Sequence, residues 1–84
     1  ISIEKNKKII KDNNLVLDVH HIHIWSMEGE KNLLTAHVVV KDSISKNAII
    51  ELKENLKNKL LKNKIHHTTI EIDFESEDCK DLKH

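Results

Sequence analysis

The residues best suited to chemistry are concentrated in one short stretch, residues 18–25, which reads Asp-Val-His-His-Ile-His-Ile-Trp. It holds three of the seven histidines and the only tryptophan. Side chains of an extended strand alternate between its two faces, so His21 and His23 are expected to share one face and His20 to lie on the other. A strand with this alternation could not hold one metal ion with all three imidazoles. Further ligands must come from other segments, and the sequence offers His37, His66, His67, Glu71 and Asp73.

Imidazole and carboxylate groups together are typical ligands of a borderline divalent cation such as zinc. His20, His37 and Asp73 could converge from adjacent strands, with Glu71 as an alternative carboxylate. The other interpretation is that half-exposed histidines and acidic residues simply keep an outer sheet face soluble. The chain has no C-x-x-C or H-x-x-x-H signature, so the spacing by itself favours this second interpretation.

The composition limits the chain to one small domain and argues against several function classes. Eighty-four residues form at most one domain, and fourteen lysines balance fourteen acidic residues with no arginine. Such a chain is not expected to bind nucleic acid, because that binding needs excess basic charge and favours guanidinium contacts to bases. The single cysteine, Cys79, excludes an internal disulfide.

Neither a membrane segment nor a catalytic nucleophile is apparent in the sequence. No apolar run approaches the roughly 20 residues of a membrane span, so this chain is expected to be soluble. No serine, cysteine or lysine has the local pattern of a nucleophile with a paired base. We therefore expect a domain that is not an enzyme.

Hydrophobic periodicity and capping residues divide the chain into five elements. Ser2 can cap a first helix, and Asp42 and Ser45 can cap a second, longer one. Two strand-like stretches flank a turn that contains Gly29, and a third alternates apolar and polar residues. The predicted elements are a helix over 2–12, strands over 15–26 and 33–41, a helix over 46–62 and a strand over 66–75. Residues 76–84 are predicted to be a polar, flexible tail.

This αββαβ order predicts an α+β fold of two layers, a three-stranded sheet with both helices on one face. If the third strand runs parallel to a hairpin strand, the second helix is a crossover and the sandwich is ferredoxin-like, with a split βαβ arrangement. The face toward the helices would then hold Leu34, Ala36, Val38, Val40, Ile70, Ile72 and Phe74. His37, Glu71 and Asp73 would lie together on the opposite face.

The first strand does not fit this scheme cleanly. Strict alternation leaves neither of its faces wholly apolar, because Val19 and Ile22 fall on opposite sides. A β-bulge near His20 and His21 would let both apolar residues point inward. The sequence leaves regular alternation and the bulge as alternatives.

Three ordered motifs resemble one known family. Residues 18–26 resemble the "V-H-D-L-H-I-W-S" strand of the C-terminal cytoplasmic domain of cation diffusion facilitators. Residues 33–40 resemble its next strand, "L-S-x-H-V-V-V", and residues 66–73 its last, "H-x-T-I-Q-I-E". The resemblance spans residues 3–75 and implies that residues 1–75 form an αββαβ domain that binds divalent cations and dimerises. In the family this domain follows six membrane helices of a cation transporter.

The resemblance also implies a site. Residue by residue, the family's histidine ligands fall on His20 and His37, and its positions on the last strand fall on Glu71 and Asp73. This sequence departs from the family pattern where His21 replaces an aspartate, Glu71 a glutamine and Asp73 a glutamate. The predicted second helix lacks the histidine that some members add, so His21 and His67 are further ligand candidates.

The function implied by the resemblance is a metal-sensing and dimerisation domain of an efflux transporter, at the cytoplasmic face of a membrane. The expected cation is Zn²⁺ or a similar ion such as Mn²⁺, Fe²⁺, Co²⁺ or Cd²⁺, and the expected protein partner is a second copy of the chain. Two alternatives are a free-standing ferredoxin-like metal-binding domain and a small-molecule regulatory domain. One cysteine cannot supply the thiolate pair that a soft-metal chaperone needs.

Overall fold

The helices and strands follow one another in the order αββαβ, which confirms the predicted order. The structure, a computed structural model, describes residues 2–29 and 31–76. Its elements are α1 (Ile3–Lys11), β1 (Asp18–Met27), β2 (Lys31–Val40), α2 (Lys46–Lys62) and β3 (His67–Phe74). Of the predicted tail, only Ser76 is among the described residues, and the rest of that prediction lies outside them.

β1 begins three residues later than the predicted strand because Asn13 forms a turn. The Asn13 side-chain oxygen accepts a hydrogen bond from the Leu15 N–H (2.9 Å), and its backbone carbonyl accepts one from the Val16 N–H (3.1 Å). An asparagine that binds the backbone two residues ahead mimics a β-turn and keeps the chain out of an extended conformation. The Leu17 N–H then donates to the Val39 carbonyl oxygen (2.8 Å), which leads the chain into the sheet.

Each helix begins at a serine cap. The Ser2 and Ser45 side-chain oxygens accept hydrogen bonds from the third N–H of α1 (3.2 Å) and of α2 (3.1 Å). These contacts satisfy donors that the first turn of a helix leaves without partners. Asp42, the other predicted cap, instead accepts a hydrogen bond from the Ser76 N–H (3.2 Å). Within the described residues, no helix has both the length and the apolar content to cross a membrane.

β2 is the central strand of the sheet. It pairs antiparallel with β1 and parallel with β3, so the strand order is β1-β2-β3. The β1–β2 hairpin turns at Gly29, whose φ of +79° lies in the left-handed region that glycine adopts without steric cost. α2 forms the crossover that a parallel strand pair requires. These connections, with both helices packed on one face of the sheet, confirm the predicted two-layer fold.

The core lies between β2 and the helices. β2 turns alternate apolar residues inward, each at most 2% exposed: Leu34, Ala36, Val38 and Val40. α2 meets them with a leucine stripe, each residue at most 1% exposed: Leu52, Leu56 and Leu60. The remaining members of this buried cluster are Ile10, Val19, Ile65 and Ile70. Ile72 and Phe74, which the alternation of β3 also assigns to this face, pack against the cluster and are only partly buried.

A buried asparagine joins the two helices. Asn6 is 0% exposed, and its amide nitrogen donates to the Ser2 carbonyl oxygen (2.8 Å) while its amide oxygen accepts from Asn63 (2.8 Å). A second amide contact, from Asn13 to Asn55 (3.0 Å), joins the end of α1 to α2. A buried polar group is costly unless it is hydrogen-bonded, so these pairs favour one particular placement of α1 on α2.

Asn6→Ala is expected to lower the free energy of unfolding by about 1–3 kcal/mol, because the change leaves the Asn63 amide without its acceptor. Urea denaturation followed by circular dichroism measures this quantity. Asn58→Ala, at an exposed position of α2, is the control and should change the free energy by at most about 0.5 kcal/mol. Equal effects of the two changes would mean that the buried amide pair contributes nothing specific.

Candidate metal centre

The first strand contains a β-bulge at its histidines. The register of β1 against β2 shifts between His20 and His23, so that His21 and Ile22 together stand opposite a single β2 residue. His21 takes the left-handed backbone conformation, with φ 52°. Ile22 packs against the helix-side core, in which Val19 is also buried. Of the two alternatives that the sequence leaves open, the bulge is therefore the one present.

This bulge brings three histidines of β1 to the sheet face away from the helices, which we call the outer face. The ring centroids of His20 and His21 are 4.9 Å apart and lie 5.9 and 5.0 Å, respectively, from the ring of His37. His23 lines the same surface groove as His21 and His37. The expectation that His20 lies on the opposite face from His21 and His23 is therefore wrong, because the extra residue of the bulge resets the alternation.

The parallel register of β2 and β3 places two carboxylates beside His37. His37 pairs with Glu71, and Val39 pairs with Asp73. Paired residues of neighbouring strands point to the same face, and the residues that alternate with these on β2 are in the core. His37, Glu71 and Asp73 therefore share the outer face, where the sequence places them.

The ring of His37 lies between these carboxylates. Its Nδ1 is 2.9 Å from Asp73 Oδ2, and its Nε2 is 2.9 Å from Glu71 Oε2. The Nε2 atom of His20 is 3.8 Å from the same Asp73 oxygen. We refer to these four residues, His20, His37, Glu71 and Asp73, as the His37 cluster.

A neutral imidazole does not match this arrangement. It has one N–H, so neutral His37 can donate to one carboxylate, while its second nitrogen, an acceptor, faces another acceptor. Both contacts become favourable when a cation lies between the second nitrogen and its carboxylate. The His37 cluster is thus a place where a positive charge is needed.

The four side chains run from buried to exposed. Side-chain exposure is 11% for Asp73, 25% for His20, 34% for His37 and 62% for Glu71. Packing therefore holds one carboxylate in place, whereas the other reaches the solvent and keeps its rotamer freedom. The cluster thus combines a fixed carboxylate, Asp73, with an adjustable one, Glu71.

The ligand atoms fit a zinc-like ion in type and approximately in spacing. One atom each from His37, Glu71 and Asp73 lies within 4.8 Å of the others. In a tetrahedral zinc site with bonds of about 2.0–2.2 Å, ligand atoms are about 3.3–3.6 Å apart. Rotation of the exposed Glu71 side chain could close such a difference. Imidazole and carboxylate together suit zinc and neighbouring divalent ions rather than soft thiolate-seeking ones.

His67 and His21, the further ligand candidates, are placed very differently. His67 pairs with Leu33 at the start of β3, four residues and about 13 Å along the strand from Glu71. The structure thus does not bring His67 to the cluster, and it lines a separate groove beside Lys57. His21 has its ring next to those of two cluster histidines, as given above.

His23 is the functional candidate that the sequence-based site omits. Its ring stacks on Trp25, with the centroids 5.7 Å apart and the planes at 27°. It opens onto the groove next to the cluster, which is lined by His21, His23, Thr35, Ala36, His37, Thr69 and Glu71. The signal that could have indicated it is the broken apolar alternation of β1, because a bulge there puts His23 on the same face as His20.

Comparison with known proteins identifies similar sequences among metal transporters. Residues 1–75 match the family described as "Cation efflux protein, cytoplasmic domain". The chain is 30% identical over 76 residues to the proton-coupled zinc antiporter SLC30A1 of Mus musculus, which covers 90% of this chain and 14% of that protein. It is also 30% identical over 73 residues to the zinc transporter ZitB of Shigella flexneri, covering 86% and 22%. The chain thus spans less than a quarter of the length of these relatives.

Solved structures with a similar fold come from the same kind of protein. The metal-bound C-terminal domain of the CzcD transporter from Cuprividus metallidurans has a TM-score of 0.75 and 31% identity, covering 87% of this chain and 99% of that one. The cytosolic domain of a cation diffusion facilitator family protein has a TM-score of 0.77 and 16% identity, covering 87% and 88%. At 16% identity the likeness concerns the fold alone.

His21→Val is expected to lower the free energy of unfolding by about 1–2 kcal/mol, because a β-branched side chain is strained at positive φ. His23→Val, in the extended part of β1, is the matched control and should change it by at most about 0.5 kcal/mol. Urea denaturation in the presence of a chelator measures both without any contribution from metal. His21→Asn, which tolerates this conformation, should resemble the unchanged chain. Equal stability of the two valine variants would contradict the bulge.

Proposed function

The chain belongs to the family of cytoplasmic domains of cation efflux proteins, and we propose that it senses a divalent cation, zinc by preference, and dimerises in response. The family is a transporter domain rather than an enzyme. The observation that carries the proposal is the His37 ring, which has a carboxylate oxygen 2.9 Å from each of its nitrogens. The relatives named above, two zinc transporters and a metal-bound domain, support the choice of a zinc-like ion.

Each residue of the His37 cluster has a distinct part in this proposal. One ring nitrogen of His37 binds the cation, and the other carries the single N–H of the ring. Asp73, the most buried member, is the fixed carboxylate, and Glu71 is the adjustable one. His20 adds a second imidazole ligand, and His21, whose ring lies beside that of His20, is a further candidate ligand. The bound cation supplies the positive charge that the two carboxylates require.

The outer face of the sheet is the proposed dimer surface. Both helices cover the other face, while Trp25 and Met27 on the outer face are 49% and 52% exposed. Pairing of two copies through this face about a two-fold axis would bury these apolar side chains and bring the two His37 clusters toward the axis.

Metal binding and dimerisation are coupled in this proposal through charge. Glu71 and Asp73 of one copy would repel those of its partner when both pairs approach the axis. A cation bound at each cluster neutralises that repulsion, so it binds the dimer more tightly than the separate chains and shifts the equilibrium toward the dimer. Family membership favours this function over a free-standing metal-binding domain and over a small-molecule regulatory domain.

His37→Ala is expected to weaken zinc binding by at least about tenfold, or ~1.4 kcal/mol, because it removes the ligand that both carboxylates contact. Isothermal titration calorimetry of the chain with zinc measures the change. His67→Ala removes an exposed imidazole from the distant end of β3 and should alter the affinity by less than about twofold, within the usual effect of a remote surface change. An unchanged isotherm for His37→Ala would rule out the His37 cluster as the zinc site.

Zinc is expected to convert the chain to dimers, or to tighten dimers that already exist, in sedimentation velocity runs with zinc and with chelator. Trp25→Glu should abolish the zinc-dependent species, because it replaces an exposed apolar side chain of the proposed interface by a charged one. Leu61→Glu changes another exposed apolar residue, 56% exposed on α2, and should leave dimerisation intact. A chain that stays monomeric under both conditions would disprove the coupling.

A further inference from the structure

The charge of this neutral chain is strongly segregated. Residues 2–13 and 45–64, which form the helical layer, contain ten of the fourteen lysines and four of the fourteen acidic residues. Their formal charge is therefore +6, and the remainder of the chain carries −6. The positive layer covers the sheet face opposite to the His37 cluster. The chain is therefore neutral as a whole but has one basic side, the helical layer.

The basic side has a focus on α1. Four of the nine residues of this helix are lysines, and Glu4 is its one acidic residue. The lysines line a single surface groove, the lysine groove, formed by Ser2, Glu4, Lys5, Lys7, Lys8 and Lys11. Lys11 also has Asp18 at 3.7 Å, but both side chains are about half exposed, and ion pairs of that kind are weak. Beside the lysines, Ile3 leaves an apolar side chain 44% exposed.

We propose that the lysine groove of α1 binds the surface of a membrane that contains anionic lipids. Lysine is a compact point charge on a flexible stem, which suits the diffuse negative charge of headgroups. The stems can lie along apolar surface while the ammonium groups stay in water. An exposed isoleucine among lysines is the combination found where helices lie in a membrane interface. A bilayer is also the surface next to which a domain of a cation efflux protein works.

The chemistry of the patch favours a bilayer over nucleic acid or a phosphorylated peptide. Those ligands are recognised chiefly by arginine, whose planar fork binds a phosphate or a base edge with two hydrogen bonds. The chain has no arginine at all. Its lysines can instead be attracted to a surface of high negative charge density, and this attraction falls steeply as the salt concentration rises.

Binding at this surface is compatible with the proposed metal function and independent of it. α1 packs on the helix-side core through Ile10, whereas the His37 cluster lies on the other face of the sheet. A domain held on lipid by α1 therefore keeps its His37 cluster accessible. Failure of one function would leave the other unaffected.

The test is co-sedimentation of the chain with phosphatidylcholine vesicles, with and without about 30 mol% phosphatidylserine, at ~0.1 M and ~0.5 M salt. The groove variant carries Lys5→Gln, Lys7→Gln and Lys8→Gln. A matched control variant carries Lys46→Gln, Lys53→Gln and Lys57→Gln, which changes the net charge equally. Those control lysines lie on the side of α2 away from α1, because Asn55, about half a turn round the helix from them, contacts Asn13 at the end of α1.

We expect binding that requires phosphatidylserine, disappears at the higher salt, falls at least about tenfold in the groove variant and changes less than about twofold in the control. Replacing the same three groove lysines by arginine should retain binding, which distinguishes lost charge from lost folding. An unchanged far-ultraviolet circular dichroism spectrum of each variant shows that the fold is intact.

Four results would overturn the proposal. They are no binding to anionic vesicles, equal binding to neutral ones, equal loss in the groove and control variants, and tighter binding to a DNA duplex than to vesicles at the same salt.

Discussion

The central position of β2 is the constraint on which the rest of the structure depends. Of the three strands in the described residues, it is the one paired on both sides. Its alternate apolar residues are at most 2% exposed beneath the helices, and shifting any pairing by one residue would turn them out to water. With that face fixed, His37 must point outward from the middle of the sheet. Both neighbouring strands then contribute their outer-face residues around one imidazole.

The sequence predicts those elements in which apolar residues recur at a single regular spacing, that of a helix or that of a strand. α2 occupies the same residues as the predicted helix, and β2 and β3 place their apolar and polar residues on the predicted faces. β1 is different because its pattern is ambiguous at the histidines. Imidazole is tolerated both in the interior and at the surface, so residues 20–23 carry no clear burial preference. The bulge is decided by its neighbours, since Val19 and Ile22 can both reach the core only if one residue is inserted between them.

The same limit explains what the sequence does not reveal about the two helices and the site. Asn6 lies among lysines in a polar segment and resembles a surface residue, yet it is fully buried against α2. Asn6 is buried because of where α1 packs on α2, and the local sequence pattern does not specify that packing. Likewise the sequence offers His66 as one more imidazole for a metal site. In the structure His66 instead uses its ring to accept a hydrogen bond from the Asn32 N–H (3.3 Å).

The gradient of exposure across the His37 cluster connects the fold with the proposed response to metal. Asp73 is nearly buried and already hydrogen-bonded, so a cation that arrives there finds one carboxylate whose ordering cost was met on folding. Glu71, 62% exposed, keeps more rotamer freedom and loses it when it turns toward the ion. A cation that draws Glu71 inward would also remove a flexible negative charge from the outer face, where a second copy would approach. The movement of Glu71 toward the ion would thus favour pairing in two ways. It lowers the negative charge of the outer face, and it leaves less side-chain entropy to be lost at the interface.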